Sequence, residues 1–322
     1  MKFEQHMVND TINTEDIEQS HEDVSQKDDS ESSIYHNIKV LLNSTPLCAL
    51  LQSHSKVVTV DSEVPLFVAF KALSHYHKDF IFVYDTDGKQ FLGSLDEHSF
   101  VKFLKDSSEY EHMTCGQYLN AVGSPIIHKV PENSTAFYGL ELVTRHRISR
   151  LFVWSTDRDV PIGYLTPSCF LLYIIKNVCG RFDFLDDSIN SISTNCEVTI
   201  PSQTTLKEAL NILITHDDLP VIDDSGTILS ILNRRKVIYF ALNSLRDKVP
   251  VAYSNTVYDI VKSIDKEFRY KDQELYVDAS ITIRNALSAV LLSNDRTLAY
   301  ANPDGVDKIL NVWDLLYYLT LR

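Results

Sequence analysis

The sequence lacks the motifs that most often identify an enzyme or a nucleotide-hydrolysing protein. None of the patterns GxxxxGKS/T, GxGxxG, HExxH or GxSxG occurs, and only nine glycines are available for loops that wrap a phosphate. Carboxylates are numerous, but none is paired in sequence with a histidine or a nucleophile in a catalytic pattern. We therefore expect a protein that is not an enzyme.

Cysteine is also sparse. Five cysteines occur at wide spacings without a CxxC pair, so the sequence predicts neither a zinc site nor a disulfide framework. Free thiols of this kind are typical of a reducing compartment, and we expect a location in the cytoplasm, the nucleus or both. His75 and His77 do not share a helix face, so we expect no metal site there.

Long apolar runs and excess positive charge are missing as well. No stretch reaches the roughly 18 uninterrupted apolar residues of a membrane span, and the start lacks the apolar run of a signal peptide. The net charge is −14, which opposes binding to nucleic acid or to an anionic membrane. We expect neither nucleic acid nor membrane among the partners.

Acidic residues are concentrated at the N-terminus. Residues 1–33 contain ten acids and two lysines, with few aromatic or branched apolar residues. Such a segment buries too little apolar surface to offset the entropy lost on ordering. We predict a disordered acidic tail over residues 1–34.

A repeated unit fills the rest of the chain. Four times, an extended run is followed by a turn, a helix, two short strands and a closing helix, with equivalent turn positions at Glu63, Glu132, Gln203 and Ser280. The spacings of 69, 71 and 77 residues exceed those of helical solenoid repeats, which are roughly 34–47 residues long. We predict four α/β modules of order β-α-β-β-α, over residues 35–110, 111–180, 181–247 and 248–322.

Local patterns support individual elements of this unit. In the third copy Thr205 and Glu208 have the spacing of a capping box, ahead of a helix over residues 204–215 with apolar residues at helical spacing. In the second copy we predict the first strand at Pro125–Ile127 and the following helix at Ser134–His146. These features predict the fold and do not indicate a binding site or a reaction.

Three stretches, with the ending ILNVWDLLYYL, resemble a known family. They are Ser53–Leu73, Arg145–Phe170 and Leu219–Asn243. They resemble the cystathionine-β-synthase (CBS) domain, a nucleotide-sensing module that works in tandem pairs, and the resemblance extends over about residues 35–322. The four-copy arrangement is similar to the γ subunit of AMP-activated protein kinase. It implies a mixed α/β (α+β) fold of four CBS modules, arranged as two pairs in a flat disc.

The resemblance also implies a function. The chain would be a non-catalytic regulatory subunit of an AMP-activated (SNF1-type) protein kinase complex, bound to a kinase catalytic α subunit and a β scaffold subunit. It would sense cellular energy by binding AMP, ADP or ATP, without a metal. The alternative is a γ-like scaffold that holds its kinase partners and binds no nucleotide.

The family's ribose-binding aspartate lies near the start of the closing helix, with Ser or Thr three residues before it. Here the fourth copy has Asp314, with Asn311 in the place of the hydroxyl residue, whereas the other copies have Ser99, Cys169 and Lys236. Asp96 is three residues early, and we expect it to face elsewhere. Asp314 also fits a simpler role as an acid that suits the helix dipole.

The family's phosphate-binding cations are reduced in number too. Arg150 keeps its place in the second copy, within a basic run that includes Arg147, and Arg296 is the candidate in the fourth. The basic cluster Arg234–Lys236 is expected at the surface. At most one nucleotide site is therefore expected, and its predicted residues are Asp314, Arg150, Thr166, Asn311, Arg296 and Arg147.

Overall fold

The computed structural model describes twelve segments of the chain. They are residues 29–51, 57–75, 80–106, 112–123, 127–178, 183–192, 198–246, 251–268, 276–278, 280–292, 297–301 and 307–320.

The first helix, α1 (Asp29–Ser44), begins inside the range predicted as a disordered tail. Residues 1–28 lie outside the described residues, so that part of the prediction stays a prediction. For residues 29–34 the prediction is wrong, because the helix continues upstream from Ile38 and Leu42, which are buried in the core. Buried apolar side chains stabilise a helix beyond what the local composition suggests.

Four modules of the predicted β-α-β-β-α design follow one another along the chain, which confirms the fold class. Each contains a three-stranded sheet, in which the first strand runs parallel to the second and the second runs antiparallel to the third. A parallel pair needs a long crossover, which the first helix of each module supplies, whereas an antiparallel pair needs only a tight turn.

Modules 1 and 2 occupy the first half of the chain, with α4 (Cys115–Val122) between them. Module 1 consists of β1 (Thr59–Asp61), α2 (Leu66–His75), β2 (Phe80–Asp85), β3 (Gln90–Asp96) and α3 (Glu97–Lys105). Module 2 consists of β4 (Lys129–Pro131), α5 (Ala136–Arg145), β5 (Leu151–Ser155), β6 (Val160–Leu165) and α6 (Pro167–Val178).

Modules 3 and 4 occupy the second half, with α9 (Val257–Phe268) between them. Module 3 consists of β7 (Ile200–Pro201), α7 (Leu206–Leu213), β8 (Asp218–Ile222), β9 (Ile228–Asn233) and α8 (Arg234–Arg246). Module 4 consists of β10 (Tyr276–Asp278), α10 (Ile283–Leu292), β11 (Thr297–Ala301), β12 (Asp307–Asn311) and α11 (Val312–Thr320).

The connecting segments complete the modules. The segment that contains the short 3-10 helix Leu47–Leu50 joins module 2, where the N–H of Leu47 donates to Ser134 O at 2.7 Å. The segment before α4 joins module 1, through the N–H of Leu66 and Met113 O at 3.0 Å. In the second half, residues 187–192 join module 4 and residues 253–257 join module 3 in the same way.

The four modules form a closed ring. The helices of modules 1 and 3 share one apolar core, and those of modules 2 and 4 share another. The sheets of modules 1 and 2 meet through aromatic residues that include Phe80 and Phe152, whose ring centroids are 5.0 Å apart. The sheets of modules 3 and 4 meet through residues that include Ile231 and Ala299. Each module therefore contacts two others.

Among the described helices, none combines the length and the apolar character that crossing a membrane requires.

Candidate functional site

A cavity of about 770 Å³ lies at the centre of the ring, and all four modules contribute to its wall. The residues that precede the four closing helices all line it: Asp96, Thr166, Asn233 and Asn311. The positive ends of α3, α6, α8 and α11 therefore begin at this cavity. A helix start presents N–H groups without intrahelical partners, which favours ligands that carry anionic or other acceptor groups.

The residue three positions further on differs in each closing helix. It is Ser99 in α3, Cys169 in α6, Lys236 in α8 and Asp314 in α11, and of these Asp314 lines the cavity. Lys236 is 3% exposed and its Nζ donates to Ile231 O at 2.9 Å, inside its own module. The four-fold repetition of the backbone therefore leaves one carboxylate in the position that the sequence predicted for a ribose.

Asp314 already takes part in the start of its helix. Its Oδ2 accepts from the N–H of Asn311 at 2.9 Å, and Asn311 Oδ1 accepts from the N–H groups of Trp313 and Asp314. Burial raises the pKa of the Asp314 carboxyl to about 6, although the Asn311 N–H and the Arg147 guanidinium both act to lower it. Among the described residues no donor reaches Oδ1, so this oxygen is available to a ligand hydroxyl.

Arg147 lies at the turn after α5, with a positive φ of 47°. It is exposed and lines the cavity, and among the residues that the structure describes no carboxylate lies within 4.0 Å of its guanidinium. Trp313 and Tyr317 are one helical turn apart on α11 and line the cavity as well. We call this part of the wall the Asp314 corner: Arg147, Asn311, Trp313, Asp314 and Tyr317.

Arg150 is engaged by a neighbouring module. Its Nη1 donates to Asp96 Oδ2 at 2.9 Å, and both side chains are less than one-fifth exposed. Burial acts to raise the pKa of the Asp96 carboxyl, but the Arg150 guanidinium and the hydrogen bonds from Ser99 outweigh it, and the pKa is lowered. Asp96 therefore stays ionised and neutralises Arg150.

Two further arginines of the wall are paired. Arg235 Nε lies 3.1 Å from Glu97 Oε1 of module 1, and Arg234 pairs with Asp217. Thr297 of module 4 donates to Asp218 Oδ2 of module 3 at 3.0 Å. Together with Arg150 and Asp96, these contacts link module 1 to modules 2 and 3, and module 3 to module 4.

The cavity brings together most of the predicted site residues: Asp314, Arg150, Thr166, Asn311 and Arg147. Arg296 lies outside the described residues. Whether the five bind a nucleotide stays a prediction. Thr166 is buried, with its Oγ1 3.4 Å from Cys169 Sγ.

Two expectations about neighbouring residues are wrong. Asp96 was expected to face elsewhere, but as the cap of α3 it lies at the cavity, because every closing helix starts there. The cluster Arg234–Lys236 was expected at the surface, which holds for Arg235 but is wrong for the other two, because α8 begins at the cavity: Arg234 is 15% exposed there and Lys236 is buried. Sequence reasoning also missed Glu97 and Tyr317; the shared element order of the four copies was the signal that could have found Glu97.

Within the described residues, no group of three or more His, Cys, Asp or Glu side chains has the arrangement of a metal site.

Comparison with known proteins supports the fold assignment. The CBS domain family model matches residues 51–106 and 189–243, which contain the strands and closing helices of module 1 and of module 3 up to residue 243. The chain thus contains CBS domains at these two positions. A search of curated proteins found no match.

Two solved structures cover most of the chain. Protein MJ1225 from Methanocaldococcus jannaschii, described as a proposed archaeal homologue of the γ subunit of AMPK, is 14% identical with a TM-score of 0.65. An uncharacterised conserved protein from Pyrococcus horikoshii is 15% identical with a TM-score of 0.50. In both cases the match covers 86% of this chain and 100% of the other. At such identities the likeness concerns the fold.

Proposed function

We propose that this CBS-domain protein is a non-catalytic regulatory subunit of an AMP-activated (SNF1-type) protein kinase complex, and that it binds one adenine nucleotide at the Asp314 corner. Its partners would be a kinase catalytic subunit and a β-type scaffold subunit, in the cytoplasm or the nucleus. The ribose diol would donate to Asp314, and Arg147 would meet the phosphate. Ligand binding at a junction of modules would change how they pack, which is how such a subunit would report energy state.

The observation that best supports nucleotide binding is the arrangement of side chains at the Asp314 corner. A half-buried carboxylate with a free oxygen, an arginine that faces it, and two aromatic rings line the same part of one cavity. These groups suit a diol, a phosphate and a planar base, respectively. The kinase part rests on the fold that the chain shares with MJ1225, described as a proposed AMPK γ homologue.

A specific observation favours the second candidate, a scaffold that holds kinase partners without a nucleotide. Arg150, Arg234 and Arg235 are all paired with carboxylates across or beside the cavity. A ring held together by its own ion pairs does not require a ligand to keep its shape. Nucleotide titration separates the two candidates.

The test is calorimetric titration of the full chain with AMP, ADP and ATP. One equivalent of binding is expected, and Asp314→Ala should abolish it. The matched control is Asp259→Ala, because Asp259 occupies the same third position of helix α9, is hydrogen-bonded to Thr256, and is exposed outside the cavity wall. No binding of any of the three nucleotides at millimolar concentration would leave the scaffold as the function.

The partner proposal needs its own experiment. Affinity purification of the tagged chain from its source cells should recover a protein kinase catalytic subunit together with a scaffold subunit in stoichiometric amounts. Recovery of neither would refute membership of a kinase complex, whatever the titration shows.

A further inference from the structure

The charges around the central cavity are nearly balanced. Among the described residues of its wall there are four arginines and five carboxylates, which are Asp96, Glu97, Asp217, Asp218 and Asp314. A site built for a nucleoside triphosphate needs a clear excess of cations, because the ligand brings three or four negative charges. The part of the wall that the structure describes has no such excess.

The pairing of these charges leaves little cationic capacity for additional phosphates. Arg150 and Arg235 lie 2.9 and 3.1 Å from Asp96 and Glu97, and Arg234 pairs with Asp217. A phosphate that approached any of these arginines would also approach the carboxylate that holds it. It would therefore meet a repulsion comparable to the attraction it gains.

The Asp314 corner differs from the rest of the wall. Arg147 faces Asp314 and has no carboxylate within 4.0 Å among the described residues, so its charge is available to one phosphate. Next to it Tyr317 is 61% exposed, the highest value among the described residues with large apolar side chains that are exposed. An exposed ring beside Trp313 offers a flat surface on which a base can stack.

We propose that the Asp314 corner prefers a purine nucleoside that carries at most one phosphate, and that Glu97 and Asp217 weaken the binding of the triphosphate. This inference rests on the proposed nucleotide-binding function. In the bound arrangement the base stacks on Tyr317, the sugar hydroxyls donate to Asp314, and the single phosphate pairs with Arg147. A second and a third phosphate would enter the part of the cavity where carboxylates already occupy the arginines.

The chain offers a direct optical reporter of this site. It has two tryptophans, of which Trp154 is buried between the sheets of modules 1 and 2 and Trp313 lines the cavity. Trp154→Phe therefore leaves Trp313 as the sole tryptophan, and its fluorescence is followed while adenosine, AMP or ATP is added without Mg²⁺. Calorimetry of the unaltered chain with the same ligands measures the ratio of the affinities for AMP and ATP without that substitution.

We expect AMP to bind at least about tenfold more tightly than ATP. In Glu97→Gln/Asp217→Asn, which removes the carboxylates from Arg235 and Arg234, the affinity for ATP should rise about tenfold while that for AMP changes by less than about threefold. The control is Asp186→Asn, because the ion pair of Asp186 with Arg284 lies outside the cavity wall.

The outcomes separate the two levels of the proposal. Equal affinities for AMP and ATP in the unaltered chain would overturn the selectivity and leave the nucleotide site standing. Equal gains for both ligands in the double variant would overturn the role of Glu97 and Asp217. Absence of any response to adenosine, AMP and ATP would overturn the proposed function and the inference with it.

Discussion

Arg150 of module 2 and Asp96 of module 1 form an ion pair 2.9 Å long at the central cavity. The same aspartate caps α3, since its Oδ1 accepts from the N–H and the hydroxyl of Ser99. One carboxylate thus begins a helix and joins two modules. The guanidinium of Arg150 also lies 5.8 Å from the ring centroid of Phe80, in the aromatic contact between the two sheets.

Replacing Asp96 by Asn should separate these two roles. Asparagine is a good helix cap, so α3 keeps its start, while Arg150 loses the carboxylate of Asp96 in a site that is less than one-fifth exposed. We expect the free energy of unfolding to fall by roughly 2–3 kcal/mol, measured by urea denaturation at pH 7.

Two further variants test this explanation. Glu141→Gln removes the exposed ion pair with Arg145 and should change stability by less than about 0.5 kcal/mol. Asp96→Asn/Arg150→Met should recover much of the loss, because no unpaired charge is left. A double variant as unstable as Asp96→Asn alone would contradict the role that we assign to the ion pair.

The half-buried carboxyl of Asp314 predicts a pH dependence of stability. Burial raises its folded-state pKa to about 6 from a model value of 3.8, so the folded state binds the proton more tightly than the unfolded state. Its contribution to stability is present below about pH 4 and is lost as the pH rises through 6. The full shift corresponds to about 3 kcal/mol, and partial exposure reduces our expectation to about 1–2 kcal/mol.

Asp314→Asn isolates this effect from other titrating groups. The difference in unfolding free energy between the native chain and the variant should shift in favour of the variant between pH 4.5 and pH 7.5. Urea denaturation at four pH values measures it. Parallel curves for the two proteins would show that the carboxyl titrates as it does in the unfolded chain.

Ligand binding at Asp314 should have the opposite pH dependence. A ribose hydroxyl donates to the ionised carboxylate, so binding requires loss of the proton, and affinity should rise about tenfold between pH 5 and pH 7. Adenosine is the suitable probe, because it has no phosphate that titrates in this range. The measurement is calorimetry at the two pH values, and the rise should be absent in Asp314→Asn.

Gly139 predicts a different kind of sensitivity. In the middle of a helix, alanine is normally favoured over glycine by about 1 kcal/mol. A Cβ at Gly139 would collide with Leu47 Cδ1 and lie 3.2 Å from Leu151 Cδ2. We therefore expect Gly139→Ala to lower stability by about 1–3 kcal/mol in urea denaturation.

The adjoining side chain supplies the check on that prediction. Leu47→Ala alone leaves a cavity and should also be destabilising. The variant with both substitutions should lose less than the sum of the two single losses, since the new methyl group occupies part of the space that Leu47 leaves. If the two losses of stability simply add, the effect of Gly139→Ala does not arise from the contact with Leu47.

The repeated elements could be predicted from the sequence because their signals are local. The Thr205–Glu208 capping box is present as predicted, with the N–H of Glu208 3.3 Å from Thr205 Oγ1. The first strand of module 2 was predicted at Pro125–Ile127, of which residues 125 and 126 lie outside the described residues, and the described strand β4 is Lys129–Pro131. Its position follows from pairing with β5 through Lys129 and Phe152, which a single sequence does not display.

The ion pairs between modules at the cavity could not be predicted, for a similar reason. Asp96 meets Arg150 across 54 residues, and Glu97 meets Arg235 across 138. Only the order in which the modules close the ring brings these residues together. The position of Asp314 could be predicted because it depends on the start of a single helix, which the ending of the chain makes recognisable.

The hydroxyl of Tyr35 in α1 donates to the backbone oxygen of Tyr318 in α11, 283 residues further along. During synthesis α1 is therefore made long before the helix that it finally contacts. Ile38 and Leu42 therefore gain their final packing partners only after module 2 and then module 4 have been synthesised. The vectorial order of translation thus gives α1 one contact, with Tyr318, that can form only after nearly the whole chain has been made.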